Sequence, residues 1–184
     1  MKTTLLLVDI QNDYFPGGKM ELEGSPDAAR QARRLLDLFR GSGWPRVHIQ
    51  HVADRPGATF FLPDTLGVEF HPETAPLPGE TVIQKHYPNS FRETTLLDQL
   101  QGLGTERLVI CGMMTHMCVD AAVRAAADLG FKVVLAADAC ATRALAYEAT
   151  SVPAAQVHAA FLAALKAYGQ VLTVEGILAL LQGE

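Results

Sequence analysis

The sequence holds only three cysteines, Cys111, Cys118 and Cys140, and none of them forms a C-x-x-C pair. An odd count without metal-ligand spacing excludes a disulfide or zinc framework and points to free thiols in a reducing cytoplasm. Long hydrophobic runs are missing as well: none reaches the roughly 18 residues of a membrane span. Asp9 and the polar Gln11-Asn12-Asp13 interrupt the N-terminal apolar run too early for a secretory leader. Positive charge is in deficit, with 15 Lys and Arg against 20 Asp and Glu and a net charge of −5, so no basic face offers itself to a nucleic acid. Gly17-Gly18 lacks the strand, G-x-G-x-x-G and helix context of a dinucleotide site. Repeats, low-complexity tracts and interdomain linkers are absent too. These absences predict one cytoplasmic domain over residues 1–184, with neither a membrane nor a nucleic acid as partner.

What is present is a regular alternation. Thr3 to Val8 reads as a strand buried on both faces. Ser25 and Pro26 follow as N-cap and first residue of a helix to about Arg40, closed by Gly41 and Gly43. Val47 to Val52 and Thr81 to Gln84 read as strands, Thr94 to Leu103 as a helix, and Arg107 to Cys111 as the central strand. Met117 to Leu129 is a helix whose only charged stripe is Asp120, Arg124 and Asp128. Lys132 to Ala136, a helix from Pro153 to about Tyr168, Gln170 to Thr173 and a short helix from Val174 to Leu181 complete the chain. Such alternation predicts an α/β fold: a doubly wound, mostly parallel, Rossmann-like sheet of about six strands with helices on both faces. The long Pro-rich stretch from Ala53 to Gly79 carries Phe60, Phe61 and Leu62, which predicts a lid, a subunit contact or both.

The stretch from Leu108 to Val119 organises the chemistry. It reads as a buried strand ended by Gly112, with Thr115 as N-cap and Cys118 at the third helical position. A thiol there lies at the positive end of a helix dipole, which favours its thiolate, and the nearby N–H groups suit a developing oxyanion. Asp9 and Lys85 fall just after two other strands, and strand ends meet on one edge of a parallel sheet. A lysine beside the thiol lowers its pKa, and an aspartate can take its proton and pass it to a leaving amine. A buried Asp–Lys pair with a purely structural role is the bland alternative.

Other reactive side chains have bland readings. Cys111 lies inside a strand as a small hydrophobe, and Cys140 packs at a strand end. His48 and His51 are three apart on a strand, face opposite sides, and read as packed or surface residues. His71 and His86 have no evident partner. His116, two residues before Cys118, reads as a pocket-lining side chain.

Four blocks carry a resemblance. They are Leu7-Val8-Asp9-Ile10-Gln11-Asn12-Asp13-Tyr14-Phe15, Lys85 before Pro88-Asn89-Ser90-Phe91, Cys111 to Val119, and Asp138-Ala139-Cys140-Ala141-Thr142. In this order and over nearly the whole chain they resemble the isochorismatase-like cysteine hydrolase superfamily, which includes nicotinamidases and related amidases. The resemblance implies Asp9 as general acid/base, Lys85 as its charge partner and Cys118 as nucleophile. It also implies an oxyanion hole from the backbone N–H groups of Met114 and Cys118, and a cis peptide between Met113 and Met114. Isochorismatases proper lack the nucleophilic cysteine, so Cys118 implies acyl chemistry. Nicotinamidases carry an Asp-Trp-His-Pro metal block where this chain has His51-Val52-Ala53-Asp54-Arg55-Pro56. The expectation is therefore a hydrolase of a small amide or related acyl compound without metal or other cofactor. Gln11, Phe15, Phe60, Tyr87, Asn89 and His116 are the expected substrate contacts, and a homo-oligomer, dimer or tetramer, is the expected assembly. Two alternatives stand beside it: a metal-assisted, nicotinamidase-like hydrolase using Asp54 or His71, and a binding protein without turnover.

Overall fold

In the computed structural model, which describes residues 1–183, six parallel strands form one sheet. In chain order these are β1 (Thr3–Val8), β2 (Arg46–His51), β3 (Thr81–Lys85), β4 (Arg107–Met113), β5 (Lys132–Ala141) and β8 (Gly169–Leu172). A two-stranded hairpin of β6 (Leu145–Tyr147) and β7 (Thr150–Val152) stands apart from them. The helices are α1 (Ser25–Gly41), α2 (Leu96–Gly102), α3 (Asp120–Asp128), α4 (Ala154–Leu165) and α5 (Val174–Gln182). The sheet order is β3-β2-β1-β4-β5-β8, so the chain winds outward from β1 and returns to start again at β4. That reversal opens a crevice beyond the carboxyl ends of β1 and β4, where sheets of this kind hold their ligands.

The two faces of the sheet are covered separately. Leu5 and Leu7 face α1 and α5 through Ala29, Ala32, Leu36, Phe39 and Ile177. Leu6 and Val8 point the other way, toward Leu96 and Leu100 of α2, Val123 and Ala126 of α3 and Leu165 of α4. This alternation of period two, with both faces apolar, is why β1 reads as a continuous hydrophobic run. Among the described residues no helix is long and apolar enough to cross a membrane.

Several local expectations change. The cap of α1 is Gly24 in the left-handed region at φ 74°, and Ser25 is the first helical residue, its hydroxyl donating back to the Leu22 carbonyl. The central strand does not stop at Gly112 but runs on to Met113, paired with β1 through Val8 and with β5 through Cys140 and Ala141. Gly112 sits at φ 130°, and a Cβ there would lie 2.0 Å from the Val8 carbonyl oxygen. The glycine marks a close approach of two backbones inside the sheet and not the end of the strand. Strand β5 likewise extends past Ala136 to Ala141, across a register shift between Ile110 and Gly112. Beyond Ala136, the Asp138 carboxylate accepts the Val174 N–H at the start of α5.

Candidate active site

Four neighbouring strands each bring one side chain to the crevice: Asp9 after β1, His51 at the end of β2, Lys85 at the end of β3, and Cys118 after β4. Asp9 takes a left-handed backbone at φ 51°, a conformation aspartate tolerates better than most residues, and this turns the chain away from the sheet. His51 and Lys85 are paired in register across β2 and β3. The chain leaves β4 through a cis peptide between Met113 and Met114 and enters a π-helical turn, Thr115–Val119. The Val119 N–H reaches back five residues to the Met114 carbonyl, which defines that wider turn, a form that favours functional sites. Thr115 is not the expected N-cap. Its hydroxyl lies 3.2 Å from the Ala141 carbonyl oxygen and 2.9 Å from Nδ1 of His158, which ties the turn to β5 and α4.

Lys85 is the hub. Its ammonium lies 2.7 Å from Oδ2 of Asp9, 3.0 Å from Nδ1 of His51 and 3.1 Å from the Tyr87 carbonyl oxygen. Three acceptors match the three hydrogens of an ammonium group. Burial works against the charge, yet Asp9 and Cys118 outweigh it and hold the Lys85 pKa above its ordinary value. Burial pushes the Cys118 thiol up, and the Asp9 carboxylate pushes it further, while Lys85 pulls it down. The net direction is upward, which opposes the thiolate expected from the helix start. A carboxylate beside a thiol, with an ammonium behind that carboxylate, is an arrangement able to take the thiol proton.

Cys118 opens onto a cavity of about 120 Å³, lined by Tyr14, His51, Phe60, Met114 and Met117 among others, with Asp54, Arg55 and His86 also on its wall. Asp9, His51 and Cys118 offer donor atoms within 4.8 Å of one another. The cation that the Asp9 and His51 atoms already face is the Lys85 ammonium, so a divalent ion placed there would meet a fixed positive charge. That donor set does not suit a resident metal. His71 lies elsewhere, its ring stacked on Phe15 at 3.6 Å, and shares no cavity with Asp54.

The sequence matches the Isochorismatase domain over residues 3–175. The chain belongs to the isochorismatase family. It is 51% identical to the uncharacterised isochorismatase family protein YddQ of Bacillus subtilis (strain 168), over 97% of this chain and 99% of that protein. A crystal structure of a protein assigned as an isochorismatase hydrolase from Oleispira antarctica superposes with a TM-score of 0.93 at 48% identity, covering 97% of this chain and 96% of the other. Maleamate amidohydrolase of Pseudomonas putida is 29% identical over 73% of this chain and 70% of its own length. The fold and the family expected from the four sequence blocks both hold.

In this isochorismatase-family chain the expected substrate contacts divide. Phe60 lines the cavity. Gln11 does not; its amide donates to the carbonyls of His51 (2.9 Å) and Val68 (2.7 Å) and accepts the His51 N–H (2.8 Å), so its polar atoms are spent on holding β2 to the lid. Phe15 is buried against His71 on the outer side of the loop. The Tyr87 ring lies under the Arg92 guanidinium at 3.7 Å, and the Asn89 side chain accepts the Phe91 N–H in a local turn. His116 pairs with Thr142 and leans on Phe161. Each of these four packs around the site without facing the cavity.

Tyr14, His51, Arg55, His86 and Met117 are among the cavity residues that the sequence pattern does not single out. The structure ends β2 at His51 and not at Val52, which gives His51 the same signal as Lys85, a polar side chain on the last residue of a strand. The stretch from Ala53 to Gly79 does fold over the site. Phe61 is buried against Tyr14 at 4.6 Å between ring centroids, and its N–H donates to the Asp13 carboxylate at 2.6 Å.

Proposed function

We propose that this protein is a cysteine-dependent hydrolase of a small amide or related acyl compound, working through a thioester on Cys118. The observation that carries the reading is the Asp9–Lys85 pair, 2.7 Å apart and buried, acting together on a thiol that opens into a small cavity. The substrate carbonyl enters over Cys118. As sulfur attacks carbon, the thiol proton passes to Asp9, and the carbonyl oxygen takes the negative charge beside the backbone N–H groups of Met114 and Cys118. Lys85, 2.7 Å from the Asp9 carboxylate, holds it in place for that transfer. The tetrahedral adduct collapses when Asp9 returns the proton to the leaving nitrogen, which departs as ammonia or an amine. Water then attacks the thioester, gives a proton to Asp9, and the thiolate recovers that proton as the acid leaves. A relative named for maleamate hydrolysis, an amide substrate, supports the same class of bond. A cavity of about 120 Å³ favours a compact acyl group.

The test is a panel of small primary amides and carbamates incubated with the protein and quenched in acid, read by intact mass and peptide mapping. A thioester adduct on Cys118, lost in Cys118→Ala along with turnover, supports the reading. Full turnover by Cys118→Ala refutes it, and the absence of any adduct or product with every acyl donor favours a binding protein.

A further inference from the structure

The described chemistry leaves the His51 side chain on the cavity wall without a task. His51 sits between Lys85 and the cavity, in register with Lys85 and within 4.8 Å of donor atoms of both Asp9 and Cys118. Its Nδ1 is 3.0 Å from the Lys85 ammonium. An ammonium only donates, so Nδ1 is the bare ring nitrogen and the proton of the neutral ring lies on Nε2. Burial and the Lys85 charge together push the His51 pKa down to about 4 against the opposing pull of Asp9, which keeps the ring neutral at ordinary pH. Among the described residues no group is bonded to Nε2, and that nitrogen is not sealed from solvent. The cavity is the opening His51 lines, so Nε2–H is a fixed donor presented to it.

The other half of the arrangement is on Asp9. Both carboxylate oxygens are buried, and beyond the Lys85 ion pair and the Cys118 thiol, which carries no proton once acylated, no hydrogen bond from a described residue fills them. Once an amine has left, the space between Asp9, His51 and the thioester sulfur offers one open acceptor and one open donor. A water molecule there accepts from Nε2–H and donates to Asp9, which turns a lone pair toward the thioester carbon.

We propose that His51 orients the hydrolytic water for the second half of the reaction, a role that rests on the thioester reading above. Water oxygen bonds to the acyl carbon, one water proton goes to Asp9, the carbon–sulfur bond breaks, and Asp9 returns the proton to sulfur. His51 neither gains nor loses a proton. It acts as a donor only, because Lys85 occupies its other nitrogen. This distinguishes it from a histidine base of the kind a Cys–His pair uses.

The experiment uses p-nitrophenyl acetate as acyl donor, whose nitrophenolate release reports acylation separately from turnover. Asparagine at position 51 places a carbonyl oxygen near the Nδ1 position and keeps an acceptor for Lys85, but it removes the donor at Nε2. Glutamine restores an N–H near that position. In His51→Asn the burst persists, acetylated Cys118 accumulates on quenching, and deacylation slows by about tenfold or more; in His51→Gln most of the rate returns. Unchanged turnover in His51→Asn overturns the proposal. So does a lost burst without accumulated adduct, which places His51 before acylation, and so does equal slowing in both variants. If His51→Asn fails to fold, nitrogen-15 NMR of the native protein decides: Nε2–H on a neutral His51 at neutral pH is required, and Nδ1–H or an imidazolium overturns it. No burst and no adduct in the native protein would instead refute the thioester reading, while leaving the tautomer measurement standing.

Discussion

Nζ of Lys85 lies 2.7 Å from Oδ2 of Asp9, and neither side chain has any exposed surface. Two full charges removed from water are tolerated because they face each other, so removing one leaves the other uncompensated. Lys85→Met is expected to lose about 3–5 kcal/mol of stability in denaturant unfolding. The double variant Asp9→Asn, Lys85→Met removes both charges and should regain much of that loss while remaining inactive. If Lys85→Met proves as stable as the native protein, the pair is not a buried ion pair in solution.

The same pair sets the reactivity of Cys118 in a direction opposite to the usual activated cysteine. Burial and the Asp9 charge raise the thiol pKa, and Lys85 only partly offsets them. Asp9→Asn removes a negative neighbour, lowers the thiol pKa, and should speed alkylation of Cys118 by iodoacetamide at neutral pH even as it abolishes turnover. Lys85→Met should slow that alkylation. Peptide mapping separates Cys118 from the buried Cys111 and Cys140. Slower alkylation in Asp9→Asn would mean that the carboxylate activates the resting thiol, which is a different mechanism.

Away from the site, Glu80 gathers a cluster at the mouth of β2 and β3. Its carboxylate takes bonds from Arg40 (2.8 Å), Arg46 (2.7 Å), His48 (2.9 Å) and the Leu77 N–H (3.0 Å). Burial opposes ionisation, but the hydrogen bonds from Arg40, Leu77 and Arg46 outweigh it and hold the carboxyl well below the usual carboxylate range. A depressed folded pKa stabilises above the unfolded value, near 4.3, and the contribution fades as pH falls below it. Glu80→Gln should therefore cost about 1–3 kcal/mol at neutral pH, and the gap to the native protein should close progressively in acid. A gap that stays constant down to acid pH would show that packing, not charge, accounts for it.

Asp9 was legible because β1, buried on both faces, is an unmistakable apolar run whose first polar residue marks the sheet edge, and Lys85 because it ends the next short β-branched run, Thr81–Lys85. The winding of the sheet followed from the alternation of elements. What was not legible depends on contacts between segments far apart in sequence. Gly112 looks like a strand end until the Val8 carbonyl is known to pass 2.0 Å from where its Cβ would be. Thr115 looks like a cap until Ala141 and His158 compete for its hydroxyl. Gln11 looks like a substrate ligand until the backbone of His51 claims its amide. The β6–β7 hairpin left no trace, since three-residue, largely exposed strands carry no apolar periodicity.

The lid is where a substitution far from the reacting atoms should alter catalysis most selectively. Asp13 is buried and accepts the Phe61 N–H at 2.6 Å and the Lys19 N–H at 3.1 Å, so one carboxylate ties together the two loops that border the cavity. Gly67 passes so near that a Cβ there would lie 2.2 Å from that carboxylate. Gly67→Ala must displace Asp13 or its own segment, and the displacement is passed to Phe61 and from there to Tyr14 and Phe60, which line or back the cavity. Asp9, Lys85 and Cys118 are reached through β1, β3 and the turn after β4, and the atoms nearest a Gly67 Cβ all belong to Asp13, so the Asp9–Lys85 geometry should survive. The expected outcome is a raised KM with kcat held within a few-fold, together with faster proteolysis between Ala53 and Gly79. A drop in kcat at unchanged KM would mean that the lid aligns the reacting groups themselves and does not merely close over the substrate.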